Sequence, residues 1–183
     1  RSIKNPLPKI LVVCREENEK ICNMFDSQTY ANKQLVFADN VSKLSDYQFD
    51  YVTIFSEKDY YGKNYLTDFA LATRFASDDV IGKCAYYSDG KVVNIEKTYT
   101  RVAEEITLNR QMAAKAVFDD TIILADLFAF NKSAEILSLD EFNYCQNADS
   151  CEEADDIDIY TGVPIEEIYE YTDRIKPLEL RKM

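Results

Sequence analysis

The sequence predicts an α/β protein: a compact, mixed, mainly parallel sheet sandwiched by helices. Three observations carry that prediction. Residues 9–14 (KILVVC) form a short apolar run bounded by charge, the form of a central parallel strand. Residues 16–28 then place Ile21, Met24, Phe25 and Gln28 on one helical face, and residues 35–38 return as a second short strand. Strand, helix and strand fall within about thirty residues, the length of a βαβ unit. Residues 51–55 (YVTIF) are a third apolar run whose burial on both faces suits an interior parallel strand. That strand is expected between the ones that begin at Lys9 and Gln34.

The remaining elements follow in order. Residues 41–47 fit a short helix capped by Asp39 or Ser42. Residues 64–75 carry Leu66, Phe69, Ala70, Thr73 and Phe75 at helical spacing. Residues 80–87 and 92–95, joined by Ser88-Asp89-Gly90, read as a hairpin, because Asp-Gly between apolar runs is a turn signal. Residues 100–118 fit helix or strand equally. Residues 121–130 (TIILADLFAF) are apolar on almost every side and predict a buried helix or strand. Residues 136–139 and Phe142-Asn143-Tyr144 complete the core. Residues 1–146 thus form one domain, and 147–164 an acidic linker in which residues 147–158 hold six carboxylates. Residues 165–183 open with Ile165, Ile168, Tyr169, Thr172 and Ile175 on one face of a helix after Pro164. That helix packs back on the domain or leads into another.

Composition narrows the functions. The chain has 183 residues, a formal net charge of −12 and no basic stripe, which excludes a nucleic-acid partner and disfavours anionic lipid. It has no histidine, which removes His-dependent triads and His metal sites. Cys14, Cys22, Cys84, Cys145 and Cys151 show no metal-like spacing, and their odd number suits a reducing cytoplasm with buried free thiols. No stretch is apolar enough to span a bilayer, so any membrane association is expected to come from other domains. The opening RSIKNPLPK reads as the interior of a longer polypeptide.

Two longer segments resemble a known family. In YVTIFSEKDYYGKNYLTDFALATRFASDDVIGK, a strand ends in an acidic cluster, followed by Tyr60-Tyr61-Gly62, a helix and an Asp-Val-x-Gly-Lys element over residues 79–83. In CREENEKICNMFDSQTYANKQLVFADN, a strand leads through a helix and Gln28-Thr29-Tyr30 to a second strand. Asp140, Phe142, Asn143 and Tyr144 add an Asp-x-Phe-Asn-Tyr element. Together these resemble bacterial family-2 glycosyltransferases of the glycosyltransferase-A fold, the type that builds teichoic acid or capsule. The resemblance implies sugar transfer from a nucleotide-sugar donor to a glycan or lipid-linked acceptor, inside a polypeptide with other domains.

The resemblance also implies site residues. Glu57, Lys58 and Asp59 stand where the family carries its Asp-rich donor and metal motif. Glu57 and Asp59 offer hard oxygen ligands to Mn2+ or Mg2+, whereas Lys58 replaces a carboxylate and repels a cation. The alternative is that Ser56-Glu57-Lys58-Asp59 is a solvated turn after a strand. Asp126 matches the acid that serves as catalytic base, with Ala125 in place of a preceding Glu. Set in an apolar segment, it is either functional or a satisfied core group. About a dozen residues, without glycine, separate Asp39 from Tyr51, which trims the nucleotide-contacting segment, and four glycines leave no phosphate-cradling loop. These departures favour a second reading, a catalytically silent module for binding or assembly within a larger protein.

Overall fold

The first apolar run is the axis of the fold. A computed structural model describes residues 7–89 and 91–148. The predicted C-terminal helix and most of the predicted acidic linker lie outside the described residues. In chain order the elements are β1 (Ile10–Cys14), α1 (Glu19–Asp26), β2 (Lys33–Phe37), β3 (Tyr51–Ile54), β4 (Tyr60–Tyr61), α2 (Tyr65–Ala72) and β5 (Val80–Gly82). There follow β6 (Tyr86–Ser88), β7 (Lys91–Val93), β8 (Arg101–Glu105), β9 (Gln111–Ala114), β10 (Ser133–Ser138) and β11 (Tyr144–Gln146). Single 3₁₀ segments cover Leu44–Asp46, Ile95–Lys97, Lys115–Val117 and Leu124–Ala129.

A seven-stranded sheet has the order β2-β1-β3-β9-β5-β10-β8, and a four-stranded sheet the order β4-β11-β6-β7. Every residue of β1 is buried, as the unbroken apolar run requires. Its alternating side chains feed two cores. Ile10, Val12 and Cys14 meet Ile21 and Met24 of α1 and Leu66 and Phe69 of α2. Leu11 and Val13 meet Leu44, Phe49, Leu124 and Leu127. Both α-helices therefore cover the same face. The other face is closed by 3₁₀ turns and loops, so the sheet is not sandwiched between helices as the sequence suggested.

Two further expectations change. β3 is interior, but its neighbours are β1 and β9; the strand containing Gln34 is β2, which lies at the edge beyond β1. The sheet is mixed rather than mainly parallel. β1 pairs in parallel with β2 and β3, and β5 with β10, whereas β9 runs antiparallel to both β3 and β5 and β8 antiparallel to β10. Residues 100–118, which fit helix or strand equally, supply β8 and β9 and so reverse the sheet's direction.

Local chemistry explains the boundaries. Asn18 caps α1 by accepting the Ile21 amide at 2.8 Å. Gln28 is buried where α1 meets α2: its amide donates to the Gly62 carbonyl at 2.8 Å, and its oxygen accepts the Leu66 amide at 3.1 Å. That clamp accounts for the Gln-Thr-Tyr turn. α2 ends at Ala72, and Phe75, expected on its buried face, is 89% exposed. Asp39 accepts the Val41 and Ser42 amides, but the helix it was expected to cap shrinks to a 3₁₀ turn over Leu44–Asp46. β6 and β7 form the predicted hairpin, with Tyr87 opposite Val92. The strand before it breaks at residues 83–85, so β5 joins the large sheet and β6 the small one. Gly82 is required by close approach: a Cβ there would lie 2.2 Å from Gln111 Cγ and 3.1 Å from Gln111 Cα.

Candidate functional site

A cleft of about 680 Å³ opens at the carboxyl ends of β1 and β3. The chain leaves β1 through α1 to reach β2 on one side and later returns to β3 on the other. This is the topological switch point, where open α/β sheets hold their ligands. Arg15 and Asn18 follow β1, and Ser56, Glu57 and Lys58 follow β3, all lining the cleft. Thr107 and Asn109, from the β8–β9 loop, and Phe128, from the last 3₁₀ segment, line its remaining walls.

Of the four charged residues predicted for the site, Glu57 and Lys58 line the cleft, whereas Asp59 and Asp126 do not. Glu57 is exposed; one carboxylate oxygen accepts the Asn18 amide at 3.2 Å, and its backbone carbonyl accepts the Lys20 ammonium at 2.5 Å. Lys58 is exposed and lines the cleft. Asp59 turns the other way and is 2% exposed. Its Oδ2 accepts Asn109 Nδ2 at 2.8 Å and the Tyr144 hydroxyl at 3.0 Å, and its Oδ1 accepts the Asn147 amide at 3.1 Å. All three donors are internal, as a buried carboxylate requires. The motif is thus neither a metal pair nor wholly a solvated turn: its first acid faces solvent and its last is a core acceptor.

These residues do not fit Mn2+ or Mg2+. Both Asp59 oxygens already accept internal hydrogen bonds, the residue is buried while Glu57 is exposed, and Lys58 stands between them in sequence. Among the described residues no group of three or more acid, cysteine or histidine side chains is arranged to hold a metal ion.

Asp126 departs from the burial expected of it: within residues 121–130 the 3₁₀ segment Leu124–Ala129 buries Leu124 and Leu127 and exposes Asp126. Its carboxylate accepts the Ile123 amide at 3.4 Å, closing its own turn. Leu127 and Phe128 line the cleft; Asp126 is not among the lining residues.

Tyr61 is buried, stacks on Phe55 with ring centroids 3.9 Å apart, donates its hydroxyl to the Ile54 carbonyl at 3.2 Å and accepts the Ser56 amide at 3.0 Å. It fixes the turn that carries Glu57–Asp59. Burial, followed by the nearby Tyr144 and Asp59, raises its phenol well above the ordinary range.

The sequence reading missed a buried ion cluster. Lys83 has a fully buried side chain, with Nζ 3.2 Å from Asp68 Oδ2 and 2.5 Å from Asp140 Oδ1. Asn143 donates to Asp68 at 2.9 Å and Tyr99 to Asp140 at 3.2 Å. Lys83 and Asp140 both belong to the motifs quoted above, and that shared membership was the available signal. Burial of the Asp68 carboxyl pushes it above its ordinary value, although Lys83 and Asn143 pull the other way. Of the cysteines expected to be buried, Cys14, Cys84 and Cys145 are buried, whereas Cys22 is half-buried. Burial pushes Cys14 up to about 12 and Cys84 to about 11.

No helix among the described residues is long and apolar enough to cross a membrane. No family model and no curated protein matches the sequence. Two solved structures of S. aureus TarS 1–349 align with it. The one in complex with UDP-GlcNAc does so at 15% identity and a TM-score of 0.43, over 74% of this chain and 57% of that one. The other does so at 13% identity and a TM-score of 0.44, over 76% of this chain and 60% of that one. The chain therefore spans less than two thirds of the TarS structures it matches.

Proposed function

We propose that this chain is a glycosyltransferase-like domain of a bacterial protein that builds a cell-surface polysaccharide, teichoic acid or capsule. Within that protein it is a catalytically silent module for binding or assembly. It works in the cytoplasm, and other domains of the same polypeptide bring it to the membrane. The motif resemblance supports the family, and the Asp59 carboxylate supports the silence. A donor-site acid that coordinates a metal must point into the cleft, and Asp59 is instead held by Asn109, Tyr144 and Asn147. Active transfer would need Asp59 to leave three donors and Asp126 to move from an exposed turn into the cleft. The cleft at the switch point favours retained ligand binding over a purely architectural role.

Calorimetric titration of the full chain with UDP-glucose and UDP-N-acetylglucosamine, with and without MnCl2, tests this reading. The expected result is no manganese-dependent heat and no release of UDP. Manganese-dependent turnover of either donor would overturn it.

A further inference from the structure

We propose that the cleft between β1 and β3 takes a neutral saccharide and not a nucleoside diphosphate, an inference that rests on reading the domain as a silent binding module. Charge is the first argument. The lining holds two cations, Arg15 and Lys58, against three carboxylates, Glu16, Glu57 and Glu105. Without a metal to neutralise it, a diphosphate entering this cleft meets an excess of negative charge. The whole chain, at −12, adds to the repulsion.

Hydrogen-bonding capacity is the second. A sugar hydroxyl is both a donor and an acceptor, so a polyol is best held where acceptor-only and donor-only groups alternate. Glu57 and Glu105 accept, Arg15 and Lys58 donate, and the Asn131 amide does both. Neither Arg15 nor Lys58 forms an ion pair among the described residues. The Arg15 guanidinium lies 4.5 Å from the centroid of the Phe128 ring, a stacking that fixes the orientation of its N–H edge. The volume of about 680 Å³ lies within the range of small-ligand clefts.

Saturation-transfer NMR on the full chain, with EDTA present, decides the matter. The probes are methyl β-glucoside, methyl β-galactoside, methyl N-acetyl-β-glucosaminide and UDP. Transfer to at least one glycoside and none to UDP is expected. Glu57→Gln, at an exposed position that folding does not need, should weaken the glycoside about fivefold, the worth of one hydrogen bond. Phe128→Ala should abolish the signal. Silence from all three glycosides, unchanged affinity in Glu57→Gln, or metal-free binding of UDP would overturn the inference. Silence from the glycosides and UDP alike sinks the saccharide while leaving the silent module standing. Manganese-dependent turnover in the preceding titration sinks that reading instead.

Discussion

At the scale of single residues, Asp59 and Asp126 exchange the roles that the sequence suggested for them. Asp59 is a core acceptor, so Asp59→Asn puts an amide donor against donors and should cost about 1–3 kcal/mol in a denaturant melt. Manganese affinity should not change. Asp126 is exposed and makes one long bond, so Asp126→Asn should shift stability by less than about 0.5 kcal/mol in the same melt. The thiols give an independent check. With Cys14 and Cys84 buried and their pKa values raised to about 12 and about 11, neither should react with a disulfide reagent at neutral pH until the protein unfolds. Rapid labelling of either in the folded state would contradict their burial. None of the Asp59 contacts was legible in the sequence, because its partners lie 50, 85 and 88 residues away. A motif reports which residue is present; which way its side chain turns is decided by donors that arrive from the far end of the domain.

At the scale of elements, legibility follows how local the signal is. β1 was plain because its five residues are all buried, and α1 because its apolar spacing lies within a few turns, although its Asn18 cap sets the start three residues later than the spacing suggested. The neighbours of β3 were not, since β9 is drawn from a region whose pattern suits helix and strand alike. Residues 121–130 misled because a 3₁₀ turn has three residues per turn, which sets Leu124 and Leu127 on the core side and leaves Asp126 outside. Packing between β5 and β9 yields the sharpest prediction. Gly82→Ala drives a methyl into Gln111, including its backbone Cα at 3.1 Å, and should cost about 1–3 kcal/mol of stability, read by thermal denaturation. A variant as stable as the parent would show that β5 and β9 can separate there freely.

At the scale of the whole molecule, the Lys83 cluster joins β5 to α2 through Asp68 and to the β10–β11 connection through Asp140. Lys83→Met removes the shared cation and should cost about 3 kcal/mol, the low end for a broken buried pair because both carboxylates keep some solvent contact. Asp68 also gives the fold a pH signature. Its folded-state value lies above the ordinary 3.8, so the folded protein holds that proton more tightly than the unfolded chain. The contribution is complete below 3.8 and is lost as pH rises through the raised value. Melts taken upward from 3.8 towards neutrality should show this loss, and Asp68→Asn should flatten it. The position of β9 has a different consequence, one of timing. Because β9 is inserted between β3 and β5, the centre of the sheet closes only when residues 111–114 have been made. Until then β1–β3 and β5 are separate strand sets with open edges, the condition under which growing chains pair wrongly. Folding should accordingly be slow for the chain's size, with the rate-limiting step being the docking of one antiparallel strand into a gap that its neighbours cannot fill.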